Sequence, residues 1–306
     1  MSRQDASALQ SSMASVPFAF RESVCATLGV DSLWTVRFLP DTSSWSSVAE
    51  KVKTETKRFE LRMKMDGAEV FYNASVTIES PEGVPLQTLM SLEEAKEAKY
   101  LRCSRLENYL GNPDENTNWK VTLRTLFSVV QIEGLDLSRT DLRSVNDYCS
   151  HINPWYLRVV DIHQCKFTSA LPLCTWVKKV LASKCLCSLG IKYNTFAKAM
   201  KSKLDLNEEV YDALVHHKGL RDIAIHENDS IKDLGIPFFK RVLDFWVASE
   251  NGFQRKLILH GSAKRKQLKK KENTMYNFRK DLFTHASDRE TVEISNYYKD
   301  FSQRTS

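Results

Sequence analysis

The sequence predicts an α/β protein: an N-terminal helical segment and a β-hairpin, followed by a curved run of short parallel strands alternating with helices on the outer face. Three observations carry this. Apolar residues recur at L-x-x-L-x-I spacing at near-constant intervals between residues 127 and 262. Helix-period segments fill the gaps between those copies. Upstream, two strictly alternating stretches flank an Asp-Gly dipeptide.

The 306 residues are 42% hydrophobic, which is enough for one large core or two small ones. No apolar run reaches the roughly 18–20 residues that span a bilayer. The first residues, MSRQDASALQSSMAS, are polar, and residues 1–15 are expected to be disordered. The seven cysteines are odd in number and mostly embedded in apolar runs, the usual state of thiols in a reducing compartment. An intracellular protein is expected, cytoplasmic or nuclear, with no membrane contact. Ten glycines are too sparse for a phosphate-cradling loop.

Segment 16–57 reads as helical. Pro17 suits a first helical turn, where its missing N–H costs nothing. Val16, Phe20, Val24 and Leu28 then fall four apart on one apolar face. A second helix is expected over 43–57. Segment 58–80 reads as a hairpin. Phe59, Leu61, Met63 and Met65 alternate with polar residues, Asp66-Gly67 provides the turn, and Val70, Tyr72, Ala74, Val76 and Ile78 alternate again. Residues 81–126 read as a helical connector.

Segment 127–262 carries the repeat. LCSLGIKYN at 186–194 is matched by LRVVDIHQC at 157–165 and LRDIAIHEN at 220–228. Looser copies are FSVVQIEGL at 127–135 and QRKLILHGS at 254–262. The copies start 30, 29, 34 and 34 residues apart. This is the leucine-rich-repeat signature L-x-x-L-x-L-x-x-N/C-x-L. Each short strand buries alternate residues, the Asn or Cys packs inside the following turn, and a helix returns the chain. Trp176, Val177, Val180 and Leu181 share one face of the first return helix. Val210, Ala213 and Leu214 share a face of the second, where Asp205 and Glu208 have capping-box spacing. Phe238, Phe239, Val242, Phe245 and Trp246 mark the third. On this reading Val160, Leu189, Ile223 and Leu257 are successive neighbours in one buried row. A non-repeating α/β or α+β domain is the alternative.

VPFAFRESVCATL at 16–28 resembles the first helix of an F-box, with Val16, Pro17, Phe18, Phe20, Val24 and Leu28 in the apolar places. Followed by the repeats, it resembles an F-box/leucine-rich-repeat protein. More narrowly, it resembles the divergent F-box-associated families of nematodes, which end with a Phe/Trp-rich helix like FFKRVLDFWVAS. The resemblance covers most of 16–262. It implies a substrate-recognition adaptor of a cullin–RING ubiquitin ligase. Val16, Pro17, Phe20, Val24 and Leu28 would dock on the linker subunit, and the repeats would hold the target. The plainer reading is a helix that caps the core.

Strand residues between the buried ones point to the concave face. Three columns are expected: Val129, Val159, Ser188, Asp222 and Lys256; Gln131, Asp161, Gly190, Ala224 and Ile258; Glu133, His163, Lys192, His226 and His260. The partner-binding candidates among them are Gln131, Glu133, Asp161, His163, Ser188, Lys192, Asp222, His226, Lys256 and His260. The small residues Ser188, Gly190 and Ala224 are expected to leave room for a protruding side chain. Cys185-x-Cys187 and His163-x-Cys165 lack structural-zinc spacing. No catalytic signature occurs, and neither enzyme activity nor a cofactor is expected.

Segment 263–306 contains the run KRKQLKKK, with Lys264, Arg265, Lys266, Lys269, Lys270 and Lys271 accounting for the whole net charge of +6. It reads as a solvated face or a nuclear import signal. The alternative function is a nuclear or nucleic-acid-associated protein using this run. Val292 and Ile294 are expected in a final strand that closes the repeat.

Overall fold

The computed structural model describes residues 16–28, 33, 36, 43–66, 69–79, 85–89, 91–97, 100–108, 119–139, 149–198, 202–217, 219–248, 257–261, 274–277, 282–285 and 291–296. It is a mixed α/β protein with a mostly parallel sheet. The chain divides into two compact units, one drawn from 1–60, 74–103 and 129–131, the other from 61–73, 104–128 and 132–306.

The first unit opens with α1 (Phe18–Thr27) and α2 (Ser43–Glu55), which pack together. Their core is Cys25, Leu33, Val48, Ala49 and Val52 with Tyr100, edged by Leu28, Val36 and Trp45. Thus α1 buries Cys25, whereas Val16 and Val24 are half-buried and Phe20 is 58% exposed. The four-residue apolar step is real in the sequence, but the face that packs is the neighbouring one. Arg102 Nη2 donates to the Ala26 carbonyl at 2.6 Å, close to the end of α1.

β1 (Thr56–Asp66) and β2 (Glu69–Glu79) occupy the two alternating stretches read as a hairpin. Thr56 is already strand, so the second helix ends before residue 57. Among the described residues of 81–126, expected as a helical connector, strand predominates: β3 (Pro85–Leu89), a short α3 (Leu92–Glu97), β4 (Tyr100–Asn108) and β5 (Trp119–Thr122), then α4 (Leu123–Val129). An isolated hairpin is marginally stable and needs further strands. β3 pairs antiparallel with Ser75–Glu79 of β2, and β5 with Glu69–Tyr72. Ser91 and Glu94 form a reciprocal capping box at α3, Ser91 N donating to Glu94 Oε2 at 2.6 Å and Glu94 N to Ser91 Oγ at 3.2 Å.

After the two-residue β6 (Gln131–Ile132), the second unit carries β7 (Gly134–Ser138), β8 (Val159–His163), the short β9 (Lys166–Phe167), β10 (Ser188–Lys192), the short β11 (Thr195–Phe196), β12 (Asp222–His226) and β13 (Leu257–Gly261). Parallel pairing joins β7, β8, β10, β12 and β13 in that order. Leu135, Val160, Leu189, Ile223 and Leu259 lie level, as do Leu137, Ile162, Ile191 and Ile225. The three central copies have the expected phase. The outer two do not: the first rung is Leu135, not Val130, and the last is Leu259, not Leu257. β14 (Thr274–Asn277) and β15 (Leu282–His285) pair antiparallel, and β16 (Thr291–Asn296) pairs parallel with β13, which places Ile294 level with Leu259.

The helices α5 (Ala170–Ala182), α6 (Asn207–His216) and α7 (Ile236–Ala248) connect the rungs, α6 packing beside both others. α5 buries Trp176, Val177, Val180 and Leu181, and α6 buries Val210, Ala213 and Leu214, as the spacing predicts. In α7, Phe245 is half-buried against Tyr211, and Leu243 takes a core place beside Val242 and Trp246. Asp205 and Glu208 do not form a capping box. Asp205 Oδ1 accepts from Asn207 N at 2.9 Å, while Glu208 bridges to Arg241 of α7 at 2.5 Å.

Among the described residues, β7, β8, β10 and β12 end in the same turn. Arg139, Gln164, Tyr193 and Glu227, each one residue past a strand, have φ of 52°, 54°, 57° and 54°. That left-handed region costs a non-glycine residue about 1 kcal/mol or more. Regular bonds offset it: the first three N–H groups donate to the carbonyls of His163, Lys192 and His226 at 3.1, 3.0 and 3.2 Å. The next residue, Cys165, Asn194 or Asn228, reaches back to the preceding strand. Cys165 Sγ donates to Leu137 O at 3.4 Å, Asn194 Nδ2 to Ile162 O at 3.0 Å, and Asn228 Nδ2 to Ile191 O at 2.8 Å. Asn228 Oδ1 also accepts from Asn194 N and Nδ2, and Asn194 Oδ1 accepts from Cys165 N at 2.9 Å. Phe167 and Phe196 stack beneath, with centroids 5.3 Å apart.

Asn194→Ala removes the side-chain partner of Cys165 N and of Ile162 O in a buried site. Each orphaned group costs about 1–3 kcal/mol, so urea unfolding is expected to show a loss of at least about 2 kcal/mol. A loss within about 0.5 kcal/mol, the range of ordinary surface changes, contradicts the role given to this amide.

Candidate functional site

The strand side chains not in the buried rows form the candidate partner face. On β8, Val159, Asp161 and His163 are open while Val160 and Ile162 are buried. On β10, Ser188 and Lys192 are partly open. On β12 only Asp222 is partly open, because Ala224 and His226 are buried. The edge of Tyr193 meets the His226 ring at 5.0 Å.

Charge on this face is ordered. Glu107, Asp136 and Asp161 lie level on β4, β7 and β8. Arg105 bridges the first two, at 2.7 Å to Glu107 and 2.6 Å to Asp136, and Arg62 stands 3.5 Å from Glu107. Lys192 Nζ lies 3.0 Å from both Asp161 oxygens, and His163 Nδ1 is 3.9 Å from Oδ1. The Asp161–Lys192 pair lies over Gly190, where an added Cβ would stand 2.5 Å from Asp161 Oδ1 and 3.1 Å from Lys192 Cε. The notch expected at Gly190 and Ala224 is therefore closed, since both residues are buried. These partly exposed pairs contribute little to stability. Their chemistry is that of paired donors and acceptors on an open surface.

The structure brings Asp161, His163, Ser188, Lys192 and Asp222 onto this face in the expected register. It displaces others. Gln131 lies in β6, before the first rung. Glu133 is buried, and its carbonyl accepts from the N–H groups of Arg158 and Val159 at 2.7 and 3.1 Å. His226 is only 2% exposed. His260 lies level with Ala224, so the two histidines do not share a column as expected. Lys256 and the basic run from Lys264 to Lys271 lie outside the described residues. Arg62, Arg105, Glu107 and Asp136 belong to the site without having been signalled. Three fall in or before the segment read as helical, and Asp136 lies in the copy whose phase was misplaced.

In the α1 segment, Pro17, Phe18 and Phe20 are exposed, Val16 and Val24 half-buried, and Leu28 packs against the core. Among the described residues, no group of three or more His, Cys, Asp and Glu side chains can hold a metal ion, and no helix is long and apolar enough to cross a membrane.

Five cysteines, at 25, 103, 149, 165 and 174, are buried. Burial pushes the Cys149 thiol up to about 12 and Cys174 to about 11, which disfavours the nucleophilic thiolate. Cys185 is exposed, yet partial burial of its thiol, with Cys187 nearby, raises it above the ordinary range. No known protein family, no curated protein and no solved structure matches the chain.

Native protein treated with an aromatic disulfide reagent is expected to release two equivalents, from Cys185 and Cys187, and five more only on unfolding. Because the Cys185 thiol is raised, its thiolate is scarce at neutral pH, and its labelling rate should keep climbing past the ordinary thiol range near 8.5. Release of a third equivalent from the native protein contradicts the burial pattern.

Proposed function

We propose that this chain is a non-enzymatic interaction protein whose repeats form a leucine-rich-repeat-like solenoid and hold a protein partner on the strand face. The observation that carries the reading is the level parallel ladder of Leu135, Val160, Leu189, Ile223 and Leu259, repeated with one type of turn. Such a ladder buries one face in the core and offers the other, at fixed spacing, to a partner. The ordered row of Glu107, Asp136 and Asp161 with Arg105 and Lys192 is suited to reading charge on that partner.

The adaptor reading is supported by the first helix. Phe18 and Phe20 are 46% and 58% exposed while the same helix secures itself through Cys25. Two exposed aromatic rings on a short helix favour docking over a purely capping role. On this reading α1 docks on the linker subunit of a cullin–RING ligase, and the strand face takes the substrate.

Exposure of these rings makes the test clean, since their removal leaves the core intact. Purified linker subunit is expected to bind the full chain, and Phe18→Ala/Phe20→Ala to weaken it by at least about tenfold, the loss of one interface hot spot, with unchanged melting. Asp136→Lys/Asp161→Lys should keep linker binding and lose the captured substrate. Absence of linker binding by the wild-type chain rejects the adaptor role. Unchanged substrate capture by the strand-face variant rejects the assigned face.

A further inference from the structure

The segments leading into β8, β10 and β12 read NPWYLR, SKCLC and HKGLR, and contain no acid. Their last residues, Arg158, Cys187 and Arg221, occupy equivalent places. Cys187 N and Ser188 N donate to Arg158 O at 2.7 and 3.0 Å, and Arg221 N and Asp222 N to Cys187 O at 3.0 and 3.3 Å. Adjacent strands are about 4.8 Å apart, so the two arginine positions stand roughly 10 Å apart with a thiol between them. Arg158 Nη2 lies 3.9 Å from Cys187 Sγ. Lys184, at φ 60°, and Arg221 are both exposed, and neither has an acidic partner among the described residues.

The same edge is apolar in an unusual way. Trp155 is 60% exposed, held by a 3-10 turn, Pro154–Tyr156, whose Trp155 N donates to Asn153 Oδ1 at 3.1 Å. Val159, at the start of β8, is 45% exposed. An exposed tryptophan and basic residues are the residue types that dominate interface hot spots.

We propose that this strand-start edge, built on Trp155, Lys184 and Arg221, is a second docking surface, separate from the strand face, that takes an acidic segment of a protein partner carrying apolar side chains. Charge complementarity selects the acid, because the exposed cations Lys184 and Arg221 have no acidic partner among the described residues. The exposed Trp155 ring selects a peptide over a polyphosphate. Nucleic acids draw their affinity from many phosphate contacts, whereas here few cations surround an apolar centre. The surface goes beyond the strand-face reading and does not depend on the ligase role.

The test uses the full chain and a short fluorescein-labelled peptide of Asp, Glu, Leu and Phe, read by anisotropy, with oligothymidylate as competitor. Saturable, salt-weakened binding is expected. Lys184→Glu/Arg221→Glu should reduce affinity at least about tenfold, and so should Trp155→Ala. Lys166→Glu/Lys198→Glu, exposed charges beyond the C-terminal ends of β8 and β10, should not change it. Four results overturn the proposal: no saturable binding; equal loss in the Lys166/Lys198 variant; loss only on neutralising Lys269, Lys270 and Lys271; or displacement by oligothymidylate at lower concentration than by unlabelled peptide.

Discussion

The structure of the repeat depends on one buried contact, the reach of a turn residue back to the carbonyl of the preceding strand. Parallel strands buried in a core keep their end carbonyls from water, and such carbonyls are costly to leave short of donors. Cys165, Asn194 and Asn228 answer that at Leu137, Ile162 and Ile191. An asparagine amide both donates and accepts, so Asn194 also ties Cys165 to Asn228. A thiol donates only weakly, and the Cys165 contact is correspondingly longer. The contact fixes where each strand ends, and so fixes the register of everything above it.

Register in turn decides the surface. With Val160, Leu189 and Ile223 level, Asp161 must lie beside Gly190, and Lys192 can close over that glycine. The charged row extends to Glu107 and Asp136 because Gly134 lets β7 approach β4. A Cβ there would stand 2.4 Å from the Ser104 carbonyl oxygen, which is backbone and cannot move aside cheaply. The bonds at the strand starts likewise set Arg158, Cys187 and Arg221 in one line.

The sequence made the central ladder legible because three copies combine L-x-x-L-x-I with Asn or Cys at the turn. The outer copies lack that marker. QRKLILHGS carries two leucines two residues apart, and a slip of two keeps every side chain on its face, so hydrophobic alternation alone cannot separate Leu257 from Leu259. At the first copy, VVQI and GLDL both alternate. The close approach at Gly134, invisible to a hydrophobic pattern, selects the second. β3 was missed because PLQTL carries little strand propensity and owes its strand state to pairing with β2, a tertiary context that overrides local preference. The left-handed turn residues Arg139, Gln164, Tyr193 and Glu227 carry no sequence signal, since none is glycine or asparagine.

The ladder's phase is tested most directly by cross-linking across it. In a chain with Cys185 and Cys187 changed to serine, Val159→Cys/Ser188→Cys places two thiols on level positions of adjacent strands, within the Cα separation of about 4.4–6.8 Å that a disulfide needs. Rapid formation of an intramolecular disulfide on mild oxidation is expected for that pair, and not for His163→Cys/Ser188→Cys, four residues out of register. Equal yields from both pairs, or none from the level pair, contradict the ladder.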